Sequence, residues 1–477
     1  MRFSKNGPDI PDGLIDASIR GDVVFLCGAG VSQSSGLPNF KALTERIFDR
    51  LAENMTPAEQ QPFAKDRFEE TLGALARRLV DKRSIYRAVA DELDADRADD
   101  LSPHKTILRL SRDFESRPVV ITTNFDTLFE RALNADTGQP VESQSFAGAQ
   151  IPAPGGARFE GIIHLHGRLA DHRLSLTESD LVLTSADYGD AYLRSGWASR
   201  FLFDLARSKI IVLVGYSASD PPVRYILNIL EADRERFPEI KAVFAVDTHQ
   251  KGAADSVVAA WEAIAVAAIP YELTDEGFAP LWSDLATWAD LAERPRGWRK
   301  SRFEQLTLKP VAALECWESA QAAWLLKHDD VVALLPKSAS KPDWLGLLRS
   351  QNDMKLSANA EWPLAQWAST HLQDPDAFRQ MLRFRNDLGP AAAGIIDRAL
   401  SEASDTPLAD NLQQAWRLLA MALRQSKRED HWHHHIALGR IRARNPTSAD
   451  LEAAIGHYVP SLLIREPRSY ELEMGRQ

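Results

Sequence analysis

Six short apolar runs punctuate the first 273 residues: Val23 to Cys27, Val119 to Thr123, GIIHLHG at 161–167, Ile210 to Val214, KAVFAVD at 241–247 and AVAAIPYEL at 265–273. Runs of this length, rich in β-branched residues and bounded by Gly, Pro or polar residues, read as buried strands. Between them the apolar spacing turns helical, with Leu43, Ile47 and Leu51 on one face of FKALTERIFDRL and Phe68, Leu72, Leu75 and Leu79 on one face of FEETLGALARRL. DGLIDASIR reads as a lead-in helix, Thr56 to Asp94 as helical throughout, and Pro103 opens a helix that ends before Pro118. LTESDLVLTSADYGDAYLRSGWASRFLFDLAR reads as strand, turn and helix. Four glycines and three prolines in 136–160 predict a loop there. Strands alternating with helices predict an α/β fold, a Rossmann-like parallel sheet with flanking helices. Pro270 places the last run at an edge or a strand's end.

After Trp288 the pattern changes. AERPRGWRKSRFEQLTLKP is charged and has no clear apolar period, so residues 1–290 form one predicted domain, 291–310 a linker, and 311–477 an all-α C-terminal domain. ALECWESAQAAWLLK and NLQQAWRLLAMALRQ are its clearest amphipathic pieces, and eight of the twelve tryptophans fall beyond Trp288. Such a stripe reads first as packing between helices and second as a partner surface.

Composition narrows the field. The net charge of −11 is spread without a basic block, so nucleic acid is not indicated. No run approaches the roughly 18 apolar residues of a membrane span, and the first residues lack a signal-peptide core, which predicts a cytoplasmic protein with no membrane. Two cysteines, Cys27 and Cys316, supply neither a disulfide framework nor a thiolate zinc site within one chain. His431, His433, His434 and His435 lack a spaced carboxylate or thiolate set, so a solvated helix or loop is weighed above a metal site.

Candidate chemistry sits where the apolar runs end. The run to Cys27 enters Gly28-Ala29-Gly30, followed by a helix, the order in which glycines let backbone amides approach a phosphate. Gly36 lies six residues after Gly30, not three, which weakens a plain dehydrogenase reading and leaves a ligand-free glycine turn open. Thr123, Asn124 and Asp126 close the second run, His166 the third, Gly215 and Ser217 the fourth, and Asp247 the fifth. Strand ends of this kind are where α/β sheets bind ligands. His164 and His166 alternate with apolar residues and are predicted to share one face of their strand. Asp247 reads equally as a ribose-binding carboxylate or a turn cap.

GAGVSQSSGLPNF, TTNFD, HLHG and GYSASD, in that order over roughly the first 270 residues, resemble the signature of the sirtuin (silent information regulator) family. The resemblance implies a sirtuin-like fold with NAD as substrate, cleaved between nicotinamide and ribose. By it, Asn124 holds the water or ribose near the anomeric carbon, Asp126 engages the nicotinamide amide, and His166 acts as general base with a pKa near working pH. Gly28, Ala29, Gly30 and Ser32 cradle the pyrophosphate, Pro38, Phe40 and Thr123 belong to the same nucleotide pocket, Gly215 and Ser217 receive the adenosine half, and Asp247 reaches its ribose. His164 is then the structural histidine. The four zinc-ribbon cysteines of the family's deacylases are missing after HLHG, so no zinc is expected. The chain thereby resembles the bacterial zinc-ribbon-less NAD hydrolases of the anti-phage defence type. That implies a triggered, oligomeric NAD-depleting effector whose C-terminal helical part takes a protein partner or phage-derived trigger. A protein deacylase or ADP-ribosyltransferase, and a non-catalytic NAD or ADP-ribose sensor, are the alternatives.

Overall fold

Every residue of β1 (Val23–Cys27) is buried, as in a strand paired on both edges and covered on both faces. Val24 and Leu26 join Leu202, Leu205 and Leu213 in one core cluster. Phe25 points the opposite way, edge-on to Trp288 at 5.7 Å. Trp288 is fully buried, and its indole N–H donates to Ser18 Oγ at 2.9 Å. That contact ties the helices Asp12–Ile19 and Ala279–Glu293 to the central strand. Truncating a buried ring of this kind costs about 3–5 kcal/mol.

The computed structural model describes residues 1–93, 100–137, 144–156, 159–169, 181–218, 227, 237, 239–332 and 344. The chain divides into two units, Met1–Pro295 and Arg296–Gln477. In the first, β1 lies between β2 (Val119–Thr122) and, on its other side, a strand at Ile210–Val214. With β3 (Ser145–Ala147), β4 (Gly161–His164), β5 (Ile210–Val214), β6 (Val243–His249) and β7 (Ala267–Glu272) the sheet has seven strands in the order β3-β4-β2-β1-β5-β6-β7. All pairings are parallel, and the Rossmann-like architecture expected from the apolar runs is the one observed. Pro270 lies in the edge strand β7, where its missing N–H costs no inner ladder bond.

The chain runs from β1 toward β2 on one side and returns to β5 on the other. The loops after β1 and β5 therefore diverge at a switch point, and a crevice opens at the carboxyl end of the sheet. Over that end lie the helices Phe40–Arg50, Phe68–Arg78 and Arg83–Glu92. Leu43, Ile47, Leu72, Leu75, Ile85 and Val89 form a second core with Phe125 and Leu128, which emerge from the loop after β2. Asn39 caps the first of these helices by accepting from Ala42 N at 2.9 Å.

Three sequence expectations differ locally. The 136–160 loop contains β3, three residues too short to show a period and ordered by its ladder with β4. LVLT at 181–184 is not a strand; it makes a backbone bond from Val182 N to His166 O at 2.8 Å and then caps the helix Ser185–Tyr188. The stretch expected as a linker at 291–310 is largely helical, ending one helix at Glu293 and forming another at Pro295–Thr307. Its cohesion comes from pairings distant in sequence. Arg299 pairs with Asp330 at 2.9 Å, Lys309 with Glu318 at 2.7 Å, and Phe303 packs edge-on to Trp344 at 5.5 Å. ALECWESAQAAWLLK contains the helix Cys316–Leu325. NLQQAWRLLAMALRQ and the His431–His435 cluster lie outside the described residues.

Candidate functional site

A cavity of about 460 Å³ opens at the carboxyl end of the sheet, within the range of roughly 300–1,000 Å³ typical of small-molecule sites. Ala29, Gly30 and Ser32 after β1, Thr123, Asn124 and Asp126 after β2, His166 after β4, Gly215 and Ser217 after β5, and Asp247 in β6 all line it, as do Pro38 and Phe40. Five segments distant in sequence thus meet at one surface. The expected site residues are brought together there, with the exception of Gly28, which is not among the lining residues.

Gly28 and Gly30 serve the packing of two loops. A Cβ on Gly28 would lie 2.6 Å from the Tyr216 ring, and one on Gly30 would lie 2.7 Å from Gly215 Cα. The N–H of Gly28 donates to Val214 O at 2.9 Å and that of Gly30 to Gly215 O at 3.0 Å. These two amides, which the glycine pattern aims at a phosphate, are engaged across the loop pair. Contact between backbone and backbone demands the same absent side chain as contact with a ligand, which is why sequence alone does not separate the two.

Behind the lining residues runs a polar network. Asn124 Nδ2 donates to Gly28 O at 3.1 Å and to Ser32 Oγ at 2.9 Å, and Ser32 Oγ donates to Asp126 Oδ2 at 2.8 Å. Both Nδ2 hydrogens of Asn124 are engaged, so what it has left for a ligand is Oδ1, an acceptor. Asp126 Oδ1 accepts from Leu128 N at 3.1 Å. His104 lies with Nε2 3.3 Å from Ser32 Oγ and Nδ1 3.4 Å from Ser35 Oγ; burial lowers its pKa, outweighing the opposing pull of Asp126 and Glu130. Thr123 Oγ1 and Tyr216 OH are 2.7 Å apart.

The two histidines of HLHG part company, because β4 ends at His164 and the chain turns before His166. His164 is fully buried, with Nε2 2.8 Å from Glu130 Oε1 and Nδ1 donating to the backbone carbonyl of Asn124 at 3.0 Å. His166 lines the cavity with Nε2 2.7 Å from Tyr192 OH and Nδ1 3.4 Å from Tyr188 OH, and the two tyrosine rings stack at 5.9 Å. Burial lowers the His166 pKa to about 3, away from the working pH expected from an unperturbed imidazole, because no opposite charge among the described residues compensates the lost hydration. His166 is therefore a neutral imidazole near neutral pH. Burial also raises Tyr188 and Tyr192, which remain protonated donors.

At the adenosine end of the expected site, Asp247 accepts from Trp261 Nε1 at 2.8 Å and from Thr248 N at 2.7 Å. It lies within β6 and lines the cavity. Burial raises its pKa against those hydrogen bonds. His104, Tyr188 and Tyr192 escaped the sequence reading. The tyrosines are four apart in ADYGDAY, the spacing of one helical face, and that was the available signal. His104 in SPHK gave none.

Residues 118–269 match the model of the SIR2-like domain. The match takes in β2 through the first half of β7, and with them Asn124, Asp126, His166, Gly215, Ser217 and Asp247. The glycine-rich opening at 28–40 lies upstream of it. A SIR2-like domain implies NAD binding, and such domains are often NAD-dependent enzymes. The chain is also similar to an uncharacterized protein of Sinorhizobium fredii, y4cA, with 39% identity over 477 residues, covering 98% of this chain and 39% of the relative. It thus spans about two fifths of the length of that protein. Among the described residues, no group of three His, Cys, Asp or Glu is arranged to hold a metal ion, and no helix is long and apolar enough to cross a membrane.

Proposed function

We propose that the cavity binds NAD and that the chain hydrolyses the bond between nicotinamide and ribose, releasing nicotinamide and ADP-ribose. The observation that carries this reading is the meeting of Asn124, Asp126 and His166 at one cavity of small-molecule size, within the stretch that matches a SIR2-like domain. As the C1′–N1 bond breaks, its electron pair stays with nicotinamide, and positive charge develops on the ribose. Water then adds to C1′ and loses one proton. Such a step needs positioning and charge stabilisation more than a strong nucleophile.

Asn124 Oδ1 accepts from the attacking water or a ribose hydroxyl and sets its direction, while Asp126 holds the nicotinamide amide. Neutral His166 receives the proton. Ala29, Gly30 and Ser32 face the pyrophosphate, and Gly215, Ser217 and Asp247 face the adenosine half. The absence of the four ribbon cysteines after HLHG supports hydrolysis over transfer to a protein acceptor. It also supports the wider reading of a triggered, homo-oligomeric NAD-depleting effector in bacterial anti-phage defence, with the chain beyond residue 296 taking the partner or trigger.

The test is NAD loss, followed with an etheno analogue, from the full chain alone and in infected cells. The expected result is nicotinamide and ADP-ribose from the natural sequence, and losses of about 100-fold or more in Asn124→Ala and His166→Ala. Turnover of acetyl-peptide without free ADP-ribose would replace hydrolase by deacylase. NAD binding with no turnover in any state would leave a sensor.

A further inference from the structure

Below the cavity floor, at the carboxyl ends of β2 and β4, four buried side chains share a charge network. Ser145 Oγ donates to Glu130 Oε1 at 2.5 Å, His164 Nε2 lies 2.8 Å from the same oxygen, and Arg168 Nη1 lies 3.4 Å from it and 2.8 Å from Ser145 Oγ. The opposite ring nitrogen of His164 faces the Asn124 carbonyl. The carbonyl accepts from Nδ1–H and the carboxylate lies against Nε2, so a partner at each ring nitrogen holds the ring in one orientation. Burial pushes the Glu130 carboxyl up, but the attraction and hydrogen bond of His164, with Ser145 and Arg168, outweigh it and bring its pKa to about 2.

Burying so many charges is a poor way to gain stability, since apolar side chains of similar volume often do as well or better. What this network does that apolar groups would not is hold the His164 ring with its Nδ1–H aimed at one peptide. Asn124 is then gripped on three sides. Its N–H donates to Thr122 Oγ1 at 3.0 Å, its carboxamide is engaged by Gly28 O and Ser32 Oγ, and its carbonyl by His164.

We infer that His164 is a positioning residue: oriented by Glu130, it fixes the peptide between Asn124 and Phe125 and thereby the direction in which the Asn124 carboxamide meets the ribose. The inference rests on the NAD reading for its chemical meaning, and its geometry can be tested without it. Two substitutions separate the two ends of the ring. In His164→Asn the amide nitrogen takes the place of Nδ1 and keeps the donor to Asn124. In His164→Gln it takes the place of Nε2 and keeps the contact with Glu130.

The experiment measures kcat and KM for NAD on the full chain, together with hydrogen exchange of the peptide 119–130. His164→Gln is expected to lose about 10- to 100-fold in kcat with KM within about twofold, the size of effect a misplacement of about 1 Å produces. Exchange in 119–130 is expected to rise. His164→Asn is expected to stay within about threefold of the natural sequence in kcat, with exchange unchanged. Equal losses in both variants, the reverse order, or a change confined to KM would overturn the inference. If the natural sequence turns over no NAD, the functional reading fails by itself, and the exchange contrast still decides whether His164 sets the loop.

Discussion

Around His164 the interior is charged. Glu130 and Arg168 lie against it, Glu130 Oε1 gathers the contacts of Ser145, His164 and Arg168, and the group is sealed under the loop after β2. Around His166, two residues on, the interior is neutral: two stacked tyrosines hold the imidazole, and among the described residues no carboxylate reaches it. The same side chain thus serves two purposes. In the floor charged groups surround the ring, and in the wall an uncharged imidazole lines the cavity. The environment sets the difference: burial without a counter-charge keeps the His166 ring neutral, while the His164 ring lies against a carboxylate.

The largest effect expected from this contrast is in stability. Glu130→Gln leaves His164 and Arg168 buried together without their carboxylate and is expected to cost about 3–5 kcal/mol in chemical denaturation. His166→Phe removes only the hydrogen bonds of a neutral ring and is expected to cost no more than about 1.5 kcal/mol. If the His166 variant proves the less stable of the two, the contrast between charged floor and neutral wall is wrong.

Acid sharpens it next. The folded pKa of His166, about 3, lies below the ordinary 6.5, so the unfolded chain takes up its proton first. The contribution is complete above about pH 6.5 and is lost as pH falls toward 3, at up to about 1.4 kcal/mol per pH unit. Glu130, lowered from 4.5 to about 2, contributes fully above about pH 4.5 and loses its share only below that. Between pH 6.5 and 5 the natural sequence should therefore lose stability that His166→Phe retains, with His104 supplying a residual of the same sign. An identical loss in both proteins would place the acid-sensitive group elsewhere.

The smallest effect concerns Tyr192. Tyr192→Phe keeps the stacked ring and deletes the hydroxyl 2.7 Å from His166 Nε2, at a cost of about 1 kcal/mol. Because that hydroxyl favours the neutral imidazole, the His166 pKa should rise in a histidine NMR titration. An unchanged or lower value would mean that burial alone sets it.

What was legible in the sequence follows from how local each signal is. β1, β2 and β5 announce themselves because strands buried on both faces are apolar at nearly every position, Thr122 at the end of β2 being the exception. The motifs placed Asn124, His166 and Gly215 at strand ends, and parallel strands in one sheet carry all such ends to the same side. β3 has three residues and exists only through its ladder with β4, so nothing in SFA marks it. LVLT has the composition of a strand but spends its backbone on His166 and a helix cap. The helix Pro295–Thr307 was hidden by its charges, which pair with Asp330 and Gln321 farther along the chain. His104 and Tyr192 act through partners 72 and 26 residues away, a relation no local pattern contains.

The claim on which the rest stands is that one dinucleotide lies across the cavity, touching the Asn124 loop and His166 together. A crystal of the full-length Asn124→Ala protein soaked with NAD tests it directly. The expected density runs from Ser32 and Gly30 to Asp247, with the nicotinamide ribose between position 124 and His166. NAD bound outside this cavity, or a cavity that stays empty at saturating NAD while the protein still consumes it, would contradict the account.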